Sequence, residues 1–588
     1  GTRLFLNDGL GHFSEMTTGR LVRKLGATSM ALADMDGDGV ADGPPERILP
    51  VRHAEHGGHG IRQGPDGSWW LIAGNDGEIH VGLINDARSP VREPVAGALI
   101  RFSANFQSTT VFAHGFRNPY DFDFNWLGDL FTYDSDVERD YLLPWYTPTR
   151  IYHVAHGGHH GWRLPGFTRS YHQPDYDPAV IPMIRSMGRG SPTGVVSYRH
   201  RQFPPLYLNG LFLCDWTFGK VWFAATEPAG ASYTTEPELF LDPVGESGFA
   251  PTDAVVAPDG SLLVSVGGRK TRGAVYRIHW VADPAREVLA RGWAEQAGTD
   301  VDIALNAPQP LDAWSRAIWC PRAARLGPRP FDLAAGTESL PDSVRIRAIE
   351  ILTEVHGGLM TSTAQAAARS GSPFVRARVA WSLGMVPCAD FAPILASLAS
   401  DPSPHVRRCA LEGITERVET VPPALVLQAA LGNAGHGEKR LRQLSAHLAT
   451  ALPLPEWQEY YKGLARGPAQ GRLTCALAVA ERYPTNGIHR GVLSMATEVL
   501  KLQASPSEQL QAIELLQSAC GGWRIQNPSQ ELYSSYELVM PIEWESPAIR
   551  GAAAAVRQVF PGTEPLVARE AARFLGMLRD PDPSLPSR

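Results

Sequence analysis

Cysteine is scarce in this chain. The six present (Cys214, Cys320, Cys388, Cys409, Cys475 and Cys520) are spread singly through 588 residues. There is no C-x-x-C pair and no C-x-x-C-H run, which excludes a paired-cysteine metal or redox site and covalent haem attachment within these residues. Isolated cysteines of this kind are expected to be small buried apolar residues. No apolar run reaches the length of a membrane span. Neither sign of charge dominates. The net charge of -7 gives no general affinity for nucleic acid or an anionic membrane. The chain opens on Gly1 without a signal-peptide pattern and closes on the linker-like "DPDPSLPSR", so it is expected to be a fragment of a longer protein.

Apolar residues make up 44% and charged residues 20%, as in a globular protein. A chain of 588 residues exceeds one ordinary core, so more than one domain is expected. The composition changes near residue 282. Before it, Gly, Asp, Trp, Tyr and Phe are abundant in short strand-like runs closed by turns: "GPDGSWWLIAG" (64–74), "WLGDLFTYD" (126–134), "YLNGLFLCDW" (207–216) and "APDGSLLVSVGG" (257–268). Asp-Gly or Asn-Gly between apolar β-type runs signals a hairpin. Many hairpins without intervening helices point to a β-propeller or a sandwich.

After residue 283 the chain turns helical. "VRIRAIEIL" (from 344), "VRARVAWSL" (from 375) and "VRRCALEGI" (from 406) recur at a spacing of 31 residues, and "EKRLRQLSAHL" (from 438) and "GRLTCALAVA" (from 471) continue the pattern more loosely. Apolar residues at helical spacing, preceded by Ser372-Pro373 or Asp401-Pro402 turns, predict stacked helix pairs, a HEAT-like α-solenoid. A non-repeating bundle is the alternative. The division expected is a β-propeller over 1–282, a linker and helical cap over 283–340, the solenoid over 341–575 and a closing linker over 576–588.

Three stretches carry candidate chemistry. "DMDGDGVAD" (34–42) sets Asp34, Asp36, Asp38 and Asp42 on a Gly-bearing loop. Oxygens at that spacing suit one calcium ion, without the closing Glu of an EF-hand; an acidic turn is the bland alternative. "HAEHGGHG" (53–60) and "HVAHGGHHG" (153–161) share H-x-x-H-G-G-H. The Gly-Gly pair makes these loops, whose histidines suit a general base, a metal ligand or strand capping. "HGFRNPYDFDFNWLGDLFTYDSDVERD" (114–140) sets Arg117 and Asn118 before Asp134, Asp136, Glu138 and Asp140. A guanidinium fork there suits a carboxylate or a quinone oxygen, and a buried Arg–Asp pair locking two blades is the competing reading.

These pieces, in this order, resemble the pyrroloquinoline-quinone-dependent glucose and sorbosone dehydrogenases, a family of six-bladed propellers. The resemblance runs over about residues 30–280. It rests on "HGGHGIRQGPDG", "GFRNP" (115–119), "YDSDVERD" (133–140), "GGHHGW" (157–162), "SPTGVVSY" (191–198) and the closing "APDGSLLVSVGG" with "GAVYRI". It implies His56 as catalytic base with His59 beside it, Arg117 and Asn118 against cofactor oxygens, and Asp134 and Asp140 holding cofactor or calcium. The family's later Lys and Arg grips have no match in "CDWTFGKV" or "GFAPTDAVV"; Lys220 or Arg189 is the candidate substitute. The whole layout, from the acidic loop through "APQPLDAWSRAIW" (307–319) to the helical repeats, resembles large predicted membrane-bound dehydrogenases of planctomycete-type bacteria. Those usually end in a cytochrome c domain. "LFLNDGLGHF" near the start is similar to an FG-GAP propeller repeat.

The expectation is a periplasmic or otherwise extracytoplasmic oxidoreductase that contains calcium. It would oxidise a sugar or related alcohol by hydride transfer to pyrroloquinoline quinone and pass electrons to a cytochrome c. A haem would belong to a domain beyond these residues. The alternative is a non-catalytic propeller that binds glycan or protein, with the helical repeats as a docking scaffold. A metal-dependent hydrolase with His56 and His156 on one ion comes third.

Overall fold

The computed structural model describes residues 5–7, 13–15, 48–52, 54–140, 145–163, 172–244, 248–268, 273–281, 293, 298–485, 487–521 and 542–585. Strands Phe5–Asn7 and Phe13–Glu15 pair as an antiparallel hairpin. Beyond them come four antiparallel meander sheets, each in chain order. Sheet I holds Gly58–Gln63, Trp69–Ala73, Gly97–Phe102 and Thr109–Phe116. Sheet II holds Phe122–Phe124, Leu130–Asp134, Thr149–His153 and Arg185–Gly188. Sheet III holds Pro192–Ser197, Leu211–Asp215, Lys220–Ala224 and Glu238–Leu241. Sheet IV holds Pro251–Val256, Leu262–Val266 and Ala274–Ile278.

The first strands of these sheets lie side by side, in the manner of propeller blades. Gly60 N donates to Tyr120 O at 3.1 Å, joining sheet I to the lead-in of sheet II. Val195 N and Ser197 N donate to the carboxylates of Asp121 and Asp123 at 3.1 and 2.8 Å, joining sheet II to sheet III. Thr193 Oγ1 donates to Pro251 O at 2.8 Å, joining sheet III to sheet IV. Arg62 sits among them, with Nη2 2.7 Å from Asp121 Oδ2 and 3.0 Å from Val195 O. The described residues thus form four propeller-type sheets, where the resemblance implies six blades.

The hairpins close as their residues dictate. Asp66 Oδ1 accepts from Ser68 N at 3.2 Å, Asn125 Oδ1 from Leu127 N and Asp129 N at 3.0 and 2.9 Å, and Asp259 Oδ1 from Ser261 N at 3.0 Å. In each turn the following glycine (Gly67, Gly128, Gly260) has φ between 76° and 80°, a region that costs other residues steric strain. These turns all lie at one end of the sheets, the base.

The helical region packs under that base. Helices Asp342–Val355, Pro373–Met385, Pro404–Glu416 and Lys439–Thr450 form one row of successive neighbours. Thr361–Ala367, Phe391–Leu398 and Pro423–Ala434 form a second row. Proline opens Pro373–Met385 and Pro404–Glu416, where its missing N–H costs nothing. Val375 and Val406, one 31-residue repeat apart, are both 0% exposed, each contributing about 2 kcal/mol of apolar burial. The repeat's first arginine reaches forward to the next turn. Arg345 Nη1 donates to Ser370 Oγ at 2.7 Å, and Arg376 binds Asp401 through Nε at 2.7 Å and Nη2 at 2.9 Å. The described residues therefore show a stacked array of helix pairs. Helix Arg329–Gly336 packs on it from within the expected cap, and helix Pro565–Leu578 runs past residue 575.

A second set of basic residues docks the array on the sheets. Arg316 Nη2 donates to Gly64 O at 2.7 Å, Arg378 Nη1 to Leu127 O at 3.2 Å, Arg408 Nη2 to Asp129 Oδ2 at 2.6 Å, and Lys439 Nζ to Asp175 O at 2.7 Å. Among the described residues no helix is long and apolar enough to cross a membrane.

Candidate active site

The end of the sheets opposite the helical array is built from three loops. Asp76 N donates to His56 O at 3.0 Å, Gly74 N to Gly57 O at 2.9 Å and Asn75 N to Arg117 O at 2.7 Å. These bonds tie the histidine loop, the "GNDG" turn (74–77) and the Arg-Asn turn together. Gly74 permits the approach, because a Cβ there would meet Asn118 Oδ1 at 2.6 Å and His56 O at 2.7 Å.

His56 is buried, with Nδ1 2.6 Å from Asn75 Oδ1. An amide oxygen only accepts, so Nδ1 carries the hydrogen and Nε2 the lone pair. Burial, reinforced by the charge of Arg117, lowers the pKa of His56, so the imidazole is neutral near pH 7. His59 Nε2 lies 2.8 Å from Asn118 Oδ1, and its ring stacks on Tyr120 at 4.5 Å between centroids.

Asp134 organises the Arg-Asn turn from sheet II. Its carboxylate accepts from the backbone N–H of Arg117 at 3.0 Å, of Asn118 at 2.8 Å and of Ser135 at 2.8 Å. Its contact with the Arg117–Asn118 pair is thus through the main chain. The Arg117 guanidinium turns elsewhere: Nη1 donates to Ser135 Oγ at 3.0 Å, Nη2 lies 3.7 Å from Glu138 Oε2, and Cζ stands 5.8 Å from the centre of the Trp162 ring. Asp136 accepts from Tyr146 Oη at 2.6 Å, and burial raises its pKa. Asp140 lies opposite Trp145 in a two-stranded pairing.

His56, His59, Arg117, Asn118 and Asp134 therefore come together. The acidic loop with Asp34, Asp36, Asp38 and Asp42, where calcium is expected, lies outside the described residues, as does His53. The two histidine loops part company. His156 Nε2 binds Glu416 Oε1 of the helical array at 2.9 Å, and His153 Nδ1 lies 3.1 Å from Ser232 Oγ. His160 stacks on Phe116 at 4.3 Å and His159 packs edge-on to His114 at 4.8 Å. Of the uses open to these histidines, the second loop shows the structural one: it fastens sheets to helices and packs between sheets. Among the described residues no group of three or more His, Cys, Asp or Glu is arranged to hold a metal ion, and His56 and His156 have separate partners.

Sequence reasoning missed Asn75, Ser135 and Tyr120. Asn75 had a signal in its N-D-G turn. The substitutes named for the missing cationic grips are both engaged with rings: Lys220 Nζ lies 5.5 Å from the centre of Trp222, and Arg189 Cζ 5.4 Å from that of Tyr146.

No protein-family model and no curated protein matches this chain. Among solved structures it is similar to a putative oxidoreductase (glucose dehydrogenase) of Thermus thermophilus, at 18% identity and a TM-score of 0.29 over 39% of this chain and 68% of that one. It is similar to the PQQ-bound form of an aldose sugar dehydrogenase from Streptomyces coelicolor, at 15% identity and a TM-score of 0.25 over 38% of this chain and 62% of that one. It is also similar to the PQQ domain of a pyranose dehydrogenase from Coprinopsis cinerea, at 14% identity and a TM-score of 0.25 over 37% of this chain and 68% of that one. Likenesses this distant establish no shared activity.

Proposed function

We propose that this chain acts as a quinone-dependent dehydrogenase that oxidises a sugar or a related alcohol. The observation that carries the reading is the buried, neutral His56, oriented by Asn75 and set beside the Arg117–Asn118 turn. The residues suit the quinone end of pyrroloquinoline quinone: a guanidinium and an amide to face oxygens, and an imidazole lone pair to face a hydroxyl. When bound, that cofactor supplies the two-electron acceptor that no side chain offers.

The chain's own part is positional. His56 Nε2 takes the hydroxyl proton of the substrate as its carbon-bound hydrogen leaves. Asn75 fixes the tautomer that makes this possible. Burial, reinforced by the positive charge of Arg117, keeps His56 unprotonated and ready to accept. Asp134 supports the turn by accepting its backbone N–H groups, so Arg117 and Asn118 are presented on a rigid element. In the fuller form of the proposal the propeller has six blades, the helix pairs are HEAT repeats, Asp34, Asp36, Asp38 and Asp42 hold calcium, the protein works outside the cytoplasm and a cytochrome c receives the electrons.

A second reading, a propeller that binds glycan or protein without chemistry, is favoured by Lys220 and Arg189 lying on aromatic rings. One titration separates the two. Purified protein is titrated calorimetrically with pyrroloquinoline quinone, with and without calcium. The dehydrogenase reading predicts saturable binding that weakens at least about tenfold, about 1.4 kcal/mol, in Arg117→Ala. No binding by the intact chain would leave the binding-module reading.

A further inference from the structure

A cavity of about 460 Å³ lies at the base, between the propeller-type sheets and the helical array, away from His56 and Arg117. Its walls include Arg199 and Arg201 from the sheet III connection, Trp126 from the sheet II hairpin and Arg347 from helix Asp342–Val355.

Arg347 holds the same repeat position as Arg378, 31 residues later. Arg378 donates to a propeller carbonyl, and Arg408 in the next helix to a propeller carboxylate. Arg347 is the rung without such an acceptor among the described residues. One face of its guanidinium stacks on Trp319 at 4.0 Å, and Nη1 donates to Glu350 at 3.0 Å. Nε and Nη2 are buried with no hydrogen-bond partner among the described residues, in a side chain only 3% exposed. Across the cavity, Nη1 of Arg199 is likewise buried without a partner among the described residues.

Charge points the same way. Arg199, Arg347 and Arg378 all act on the single carboxylate of Glu350, which already bonds to two of them. Burial lowers the pKa of Arg347 to about 10, and the repulsion of Arg199 adds to the shift although Glu350 opposes it. Among the described lining residues the acid is Asp302, which is exposed and accepts from Thr299 Oγ1 at 2.7 Å. A buried guanidinium N–H without an acceptor costs on the order of 1–3 kcal/mol, and uncompensated buried positive charge costs more. Planar forks of this kind match the oxygens of phosphate and carboxylate groups.

We propose that this cavity is a binding site for a small oxyanion ligand, a phosphate or carboxylate compound, gripped between Arg347 of the helical array and Arg199 of the sheets. Its volume falls within the range of small-molecule sites. Trp126 offers an apolar face for the rest of the ligand. The ligand bridges the two regions and so stabilises their docking.

The test is calorimetric titration of the full chain with inorganic phosphate and, separately, with succinate, at fixed ionic strength in chloride. We expect saturable binding of at least one, weakened at least about tenfold in Arg347→Gln and in Arg199→Gln, and unchanged in His56→Gln. Binding of phosphate alone assigns a phosphoryl ligand and binding of succinate alone a carboxylate ligand. Arg199 is only partly buried, so its variant keeps the test decisive if Arg347→Gln fails to fold. The proposal is overturned if neither anion binds saturably, or if the arginine variants bind as the parent does.

Discussion

Asp134 shows what a single carboxylate contributes here. Three backbone N–H groups point at it, two of them from the Arg-Asn turn. Asp134→Ala leaves buried donors without an acceptor, each costing roughly 1–3 kcal/mol. The expected outcome is a loss of about 3 kcal/mol or more in chemical unfolding, with Asp134→Asn losing less because its amide oxygen still accepts. Quinone binding should weaken in both, since the turn that presents Arg117 loses its support. The sequence showed that Arg117, Asn118 and Asp134 belong together, because the hairpin between them is written in its turn residues. It did not show which atoms meet. The pairing of main-chain N–H with carboxylate depends on backbone direction, which no residue pattern records. The two histidine loops make the same point more sharply. Both read H-x-x-H-G-G-H, yet His56 bonds Asn75 in an adjoining turn and His156 bonds Glu416, 260 residues later. Local spelling cannot separate them, because the partner of the second loop comes from the other region of the chain.

Elements were the most legible level. Asp-Gly and Asn-Gly turns, with Ser-Pro helix starts, state their own backbone geometry, so the strands and helices fall where those residues put them. The 31-residue repeat reads directly because stacked pairs bury the same positions each time. Less visible is how closely the pairs approach. Helices Pro373–Met385 and Pro404–Glu416 touch through glycine: a Cβ on Gly384 would meet Gly413 Cα at 2.7 Å, and one on Gly413 would meet Ala380 O at 2.9 Å. Gly413→Leu should force these helices apart and lower stability by about 1–3 kcal/mol. Gly432 lies in helix Pro423–Ala434 with nothing within 4 Å of its Cβ position. Gly432→Ala should instead raise stability by up to about 1 kcal/mol, from helix propensity. Thermal melts of both variants beside the parent check the pair; equal shifts would contradict the packing described.

At the scale of the whole molecule, the two regions are held by buried charge. Glu416 pairs with Arg101 and His156, both at 2.9 Å, and despite burial these partners hold its carboxyl well below the usual range. Buried imidazoles run through both regions. Burial lowers the pKa of His114 and His160 to about 3, and of His200 and His405 to about 4. The unfolded chain takes up those protons near pH 6.5, so it gains on the native state as pH falls through 6.5 toward 3 to 4. Buried acids oppose this, among them Asp123, Asp136, Asp175, Asp177 and Asp215, all raised by burial. Burial raises Asp253 to about 6 and Asp312 to about 7. The native state then holds the extra protons, and stability rises as pH falls from 7 toward the ordinary carboxyl range. Among the described residues ten imidazoles are lowered and seven carboxyls raised, so the imidazoles outweigh the carboxyls. Tm should therefore fall steadily from pH 7 to pH 4.5, and a flat or rising Tm over that range would show that the buried histidines do not control stability.

The central claim is that His56 moves a proton for a bound quinone. It is tested most directly by loading the chain with pyrroloquinoline quinone, mixing it anaerobically with aldoses and small alcohols, and following the quinone absorbance. Reduction by at least one of these substrates is expected, with His56→Gln binding the quinone as the parent does but reducing it at least about a hundredfold more slowly. Quinone that binds yet is reduced equally fast by both proteins, or by neither with any aldose or alcohol, would contradict the claim.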